Sequence, residues 1–299
     1  MSDNIKLNLF KQRDFGLVFT DTFDFLKSNW KQIFKAIAII AGPFYFLAGA
    51  LLGLGMDSFY NIDLNNPELI EEPDFSPEKL IQYGLGWFVM LLLFFIGYAL
   101  IAGIVFTYFR MYREDKIHEN ITTGEIWENV KPKMGMILGT SILSSIVIFI
   151  GFLLCFIPGI YLAIPLSIIF IVRIEEPELS FSDAFGRCFA LTKNCWWVTF
   201  ALIMVMNLLV STISSGISLP LTILIYAEMF LEFNDFGIIQ SLSYGINMVI
   251  SMLLSSILLA TIAIIYYSHR ERLEGIGLQE RISTIGESED FLPDSSGEY

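Results

Sequence analysis

Two asparagines, Asn207 and Asn247, are the strongest polar side chains set deep inside apolar runs of this chain. Their amides could hydrogen-bond one another between helices, a contact worth roughly 0.6 to 2 kcal/mol at membrane depth. Alternatively, they could line a polar path for a solute. The other reactive side chains are scattered. His118 lies beside Glu119 and His269 beside Arg270, neither with a second ligand at helical spacing, so a zinc site is not expected. Cys155, Cys188 and Cys195 form no CxxC pair. The chain contains neither a Gly-rich phosphate loop nor a nucleophile elbow. These residues predict no enzyme, no catalytic or metal-binding residue and no cofactor.

The elements that position them are set by composition. Of 299 residues, 55% are hydrophobic and 16% charged, against about 25% charged in a soluble domain; mean hydropathy is +0.62. Crossing a bilayer takes about 20 apolar residues, and residues 33–54, 84–108, 135–157, 159–172, 196–215 and 244–267 qualify as spans. A single helix over 135–172 would be about 57 Å long, so Pro158 and Gly159 are read as a tight hairpin turn. No ionisable side chain lies in the interior of a span, and Lys35 sits at an edge. That argues against proton-coupled pumps and intramembrane metalloproteases, whose chemistry needs such groups at depth. The expected fold is all-α: a polytopic membrane bundle of six transmembrane helices in three hairpins, each hairpin preceded by an interfacial amphipathic helix.

Charge sets the orientation. Seventeen of the eighteen Lys and Arg residues fall on one side of this six-span topology, and only Lys79 on the other. The positive-inside rule then places both termini in the cytoplasm. Residues 1–32 form a polar, amphipathic N-terminal segment without a cleavable signal peptide. Residues 268–299 form an acidic tail of disordered composition. The opposite side is acidic: residues 57–78 carry seven carboxylates, and Glu228, Glu232 and Asp235 follow later. It reads either as a cation-attracting vestibule or as external loops that avoid Lys and Arg. Residues 219–233 fit an interfacial helix, a re-entrant segment or an extension of the fifth span. A net charge of -13 excludes nucleic acid as a partner.

A repeated pattern precedes each odd-numbered span: a carboxylate, one residue, an aromatic, then a Lys and an apolar run. It occurs at Asp21–Phe23 with Lys27, at Glu125–Trp127 with Lys131, and at Asp183–Phe185 with Lys193. In the first, Phe15, Phe19, Phe23, Leu26, Trp30 and Ile33 recur at helical spacing, and Lys27, Lys31 and Lys35 follow one another four apart on another face. Thr122 and Glu125 have capping-box spacing in the second. Phe15, Phe19, Phe23, Lys27, Trp30, Trp127, Phe185 and Trp196 are therefore candidate interfacial or docking residues. They either anchor helices flat on the lipid or receive a membrane or cytoplasmic protein partner.

The run Phe156-Ile157-Pro158-Gly159-Ile160-Tyr161-Leu162 is followed by Pro165, Glu175-Glu176, Ser182-Asp183-Ala184-Phe185, Leu191-Thr192-Lys193 and Trp196-Trp197. Over roughly residues 135–215 it resembles bacterial multipass proteins related to the membrane domain of glycerophosphoryl diester phosphodiesterases. In that family the chemistry resides in a separate soluble barrel of about 250 residues, for which this chain has no room. The resemblance implies a bacterial inner-membrane bundle and transfers no catalytic residue. The functional expectation is a non-enzymatic scaffold or subunit of an envelope assembly in contact with membrane lipid. The alternative is a transporter or lipid-handling permease.

Overall fold

The computed structural model describes residues 7–59, 77–116, 121–231, 236–279 and 282. All the regular elements among them are helical: α1 (Phe15–Ile40), α2 (Gly42–Phe59), α3 (Pro77–Arg113), α4 (Thr123–Val130), α5 (Met134–Leu154), α6 (Phe156–Leu166), α7 (Ile169–Glu175), α8 (Phe181–Thr192), α9 (Trp196–Leu231) and α10 (Phe236–Glu274). Five runs are long and apolar enough to cross a bilayer: Gly84–Arg113, Thr123–Leu154, Phe156–Glu175, Trp196–Ile223 and Ser241–Glu274. The bent pair of α1 and α2 makes a sixth. The chain is a multipass integral membrane protein built as a helical bundle.

Proline and glycine set the breaks. α1 runs through residue 33 without interruption, so the N-terminal amphipathic segment and the start of the first span are one helix. The bend, 55°, comes at Ala41–Gly42, where Pro43 can neither donate to the carbonyl four residues back nor avoid it. A 3-10 turn at Lys131–Lys133, holding Pro132, joins α4 to α5 in one membrane-length run. The reversal after α5 occurs at Cys155 alone, which is fully extended. Pro158 and Gly159, expected to form that turn, instead lie in the first turn of α6, where a missing N–H costs nothing. Gly159 is needed there for closeness: a Cβ would stand 2.5 Å from the Phe152 ring. Just past the end of α3, Asp115 sits at φ 57°, with Lys116 N–H reaching Met111 O (2.9 Å) and Asp115 N–H reaching Tyr112 O (3.3 Å), a Schellman closure. Residues 219–231 extend α9 through Pro220, which settles that segment as far as Leu231. The acidic segment 60–76, His118, Glu232, Asp235 and the tail from 283 lie outside the described residues.

α10 is the spine, packed against α1, α2, α3, α7, α8 and α9. Where α3, α7 and α10 meet, Ile101, Ile104, Phe106, Ile169, Ile171, Ala263 and Ile264 have no exposed surface. α2 approaches α10 through Gly49, whose added Cβ would lie 2.6 Å from the Tyr244 carbonyl oxygen. α5 and α9 sit outside this seam; only 28% and 17% of their apolar windows are buried.

Candidate functional site: a polar cluster at one end of the bundle

The ionisable side chains of α3, α7, α8 and α10 converge at one end. Glu175 closes α7, and its side chain is fully buried. Its Oε1 accepts from the Tyr267 hydroxyl at 2.8 Å. Its Oε2 lies 2.8 Å from Arg113 Nε on α3, close as an ion pair but without the alignment of a hydrogen bond. The neighbouring Glu176 accepts from the Tyr266 hydroxyl at 3.0 Å and from Arg187 Nε at 3.2 and 3.3 Å. Arg187, on α8, also pairs with Glu274 at the end of α10. Glu274 takes a second bond from Arg270 Nε, at 2.7 Å, and Arg270 donates to the Tyr266 hydroxyl at 3.2 Å.

A second group extends the cluster along α3. Arg110 Nε donates to Glu114 Oε1 at 2.9 Å, and its Nη1 donates to the Ile174 carbonyl. The Arg110 hydrogen bond, with that of Lys116, pulls the Glu114 carboxyl down to about 2. The N-terminal strap joins from outside. Arg13 is buried; its Nε meets Asp21 at 2.6 Å and its backbone N–H donates to Ser268 Oγ on α10 at 3.0 Å. Each charge named above has a counter-charge or carbonyl within reach, so the arrangement ties helix ends together, whereas the buried Arg173 Nε on α7 has no hydrogen-bond partner among the described residues. On α8, burial pushes the Cys188 thiol up to about 12, which leaves it inert. His269 is buried on α10, with Nε2 2.7 Å from Thr199 Oγ1 on α9.

The structure distributes the residues expected from sequence differently. Asn207 points outward and Asn247 is half-buried; no hydrogen bond joins them among the described residues. Each accepts instead from the serine one turn on, Ser211 at 3.3 Å and Ser251 at 3.4 Å. Near these asparagines α9 and α10 are linked instead by Ser214 and Ser251, 3.1 Å apart, as they are by Thr199 and His269 nearer the ionic end. The aromatic stripe on α1 is divided. Phe15, Phe23 and Trp30 are exposed, Phe19 is half-buried, and Leu26 and Ile33 are buried. The packing face carries Val18, Thr22, Phe25, Asn29 and Ile33, rotated by roughly 70° from the predicted stripe at 100° per residue. Phe25 stacks on Phe109 at 4.0 Å, and the Tyr108 hydroxyl donates to Asn29 Oδ1 at 3.0 Å and to Gln32. Lys27 stands exposed, and Trp127 is half-buried on α4. Phe185 and Trp196, both half-buried, join an aromatic group with Phe189 and Tyr161.

The three residues matched by the repeat are not equivalent either. Glu125 and Asp183 stand at the third position of helices capped by Thr122 and Ser180. Asp21 lies two turns inside α1, whose cap is Asp14. Sequence reasoning missed the Glu175–Tyr267 and Glu176–Tyr266 pairs. A paired carboxylate at the end of one apolar run, and paired tyrosines at the end of another, three residues before Arg270, were the available signal. Compared with protein-family models, curated proteins and solved structures, the chain matches none.

Proposed function

We propose that this chain is a non-enzymatic scaffold or subunit of an assembly in the bacterial inner membrane, with both termini and the ionic end in the cytoplasm. The observation that carries this is the outward face of α9. Asn207, Ser211, Thr212 and Ser215 are exposed there, on a helix whose apolar window is only 17% buried. An amide turned toward acyl chains finds only the Ser211 hydroxyl of its own helix, 3.3 Å away, and polar groups on such faces favour another transmembrane helix. The cytoplasmic placement follows from the positive-inside distribution of Lys and Arg. The resemblance to phosphodiesterase membrane-domain proteins supports the same kind of bundle.

A carrier would need a polar path between hairpins. The seam of α3, α7 and α10 is instead filled by fully buried apolar side chains, and the Asn207 amide faces away from it. Photo-crosslinking from position 207 in intact cells is expected to give one discrete adduct with a membrane protein. Adduct-free cells, together with purified protein that moves lipid or solute across liposomes faster than empty vesicles leak, would sink the scaffold assignment.

A further inference from the structure

Outside the ionic cluster, α6, α8 and α9 enclose a cleft of about 280 Å³ lined by Tyr161, Pro165, Phe189, Ala190, Lys193 and Trp196, with Thr192 beside them. Its shape begins with a missing hydrogen bond. Pro165 lies inside α6 and has no N–H to give the carbonyl four residues earlier, which belongs to Tyr161. That carbonyl accepts from the Trp196 indole instead, at 3.3 Å. The bond holds the indole over the Tyr161 ring, nearly parallel at 22° with centroids 5.8 Å apart. Phe189 closes the third side, 6.2 Å from Tyr161.

The lining is chemically lopsided. Thr192 is spent on the Cys188 carbonyl, 2.8 Å away. Lys193 is exposed and has no ion pair among the described residues. None of the residues around the cleft is acidic. Apolar walls beside one free ammonium suit an amphiphile that carries an anion. A free phosphate would leave the walls wet, and a purely apolar ligand would leave the ammonium unused. Trp196 and Trp197 open a membrane-length run, and Lys193 stands just before it, the usual arrangement of aromatic rings and snorkelling Lys at the headgroup boundary.

We propose that this cleft binds one anionic phospholipid, with its glycerol and upper acyl carbons against Tyr161, Pro165, Phe189 and Trp196 and its phosphate on Lys193 Nζ. The test uses the full chain in detergent, titrated with phosphatidylglycerol or phosphatidylcholine, with bound lipid counted by native mass spectrometry. Wild type is expected to hold one phosphatidylglycerol, about five-fold tighter than phosphatidylcholine, the worth of one interfacial Lys. Millimolar inorganic phosphate is expected not to displace it. Lys193→Gln, a surface change that leaves the bundle intact, should bind both lipids equally. Ala190→Trp, which fills the cleft from an exposed position, should hold neither while melting like wild type. Wild type that retains no lipid, Lys193→Gln that keeps its preference, a folded Ala190→Trp that still binds, or displacement by phosphate would each overturn the assignment.

Discussion

The two ends of the bundle are held together by different physics. At the ionic end, Arg113, Glu175 and Tyr267 meet, and Tyr266, Arg270, Glu274, Arg187 and Glu176 form a closed ring of partners. At the other end of α5, the reversal at Cys155 is flanked by Leu153, Leu154, Phe156 and Ile157, all exposed. There the two helices are held by close approach alone: a Cβ on Gly151 would lie 3.1 Å from Gly159 Cα. In lipid, apolar contact with a neighbouring helix gains little over contact with acyl chains, so fit and polar bonds decide association. One end uses polar bonds and the other uses fit, and each fails to a different kind of substitution.

The largest effect is expected at Glu175. Replacing it with Ala strands Arg113 and leaves the Tyr267 hydroxyl without its acceptor. Breaking a buried pair this way costs about 3 to 5 kcal/mol, and the partial exposure of Arg113 lowers the expectation to roughly 2 to 3 kcal/mol. Glu175→Gln keeps an acceptor for Tyr267 and should lose visibly less. Denaturation in micelles would rank the two. Equal losses would mean that the charge matters and the tyrosine does not.

Fit comes next, and two similar motifs separate it from appearance. Gly49-x-x-x-Gly53 and Gly135-x-x-x-Gly139 have the same spacing. A Cβ on Gly49 meets backbone, Tyr244 O at 2.6 Å and Gly245 Cα at 2.8 Å, whereas Gly135 and Gly139 have nothing within 4 Å. Gly49→Ala should therefore push α2 off α10 and cost about 1 to 3 kcal/mol. Gly139→Ala should be neutral or stabilise by up to about 1 kcal/mol through helix propensity. A thermal melt in which Gly139→Ala is the more damaging would contradict the packing described here.

This pair also marks what the sequence could disclose. Apolar runs of membrane length were legible because a bilayer demands them whatever the packing. The fourth run, read as 159–172 because of its Pro-Gly pair, belongs in the structure to a helical stretch, Phe156–Glu175, long and apolar enough to cross a bilayer. The packing face of α1 was hidden. In lipid its outward face is apolar as well, so hydrophobic spacing cannot distinguish Phe23, which is exposed, from Phe25, which is buried. The ionic cluster was illegible for another reason. Arg113, Glu175, Arg187 and Glu274 each look like ordinary flanking charges, and only the meeting of α3, α7, α8 and α10 makes them partners.

A smaller effect belongs to pH. Glu114 titrates near 2, below its ordinary value of 4.5, because Arg110 and Lys116 hydrogen-bond its charged form. A carboxylate lowered in the folded state stabilises it above its unfolded pKa and loses that contribution as pH falls through the window to the folded value. Melting temperature should therefore drop between about pH 4.5 and 2, and Glu114→Gln should flatten that drop while lowering stability at pH 7. A mutant curve parallel to wild type would assign the acid sensitivity to the other carboxylates of the ionic end.

The smallest perturbation tests the comparison without disturbing either end. Cys155 is exposed at the reversal between α5 and α6, whereas Cys188 is buried on α8 with its thiol held up to about 12. Only the thiolate reacts with a maleimide, so in folded protein Cys155 should alkylate and Cys188 should not until denaturant is added. α5 is 21 residues long, about 31 Å at 1.5 Å per residue, so a crossing along it would set Cys155 and the ionic end on opposite sides of the bilayer. If both termini are cytoplasmic, as proposed, a membrane-impermeant maleimide added to intact spheroplasts should reach Cys155 and spare a cysteine placed at Lys116. Labelling of position 116 with Cys155 protected would invert the orientation. It would leave every helix contact standing and turn the ionic end outward.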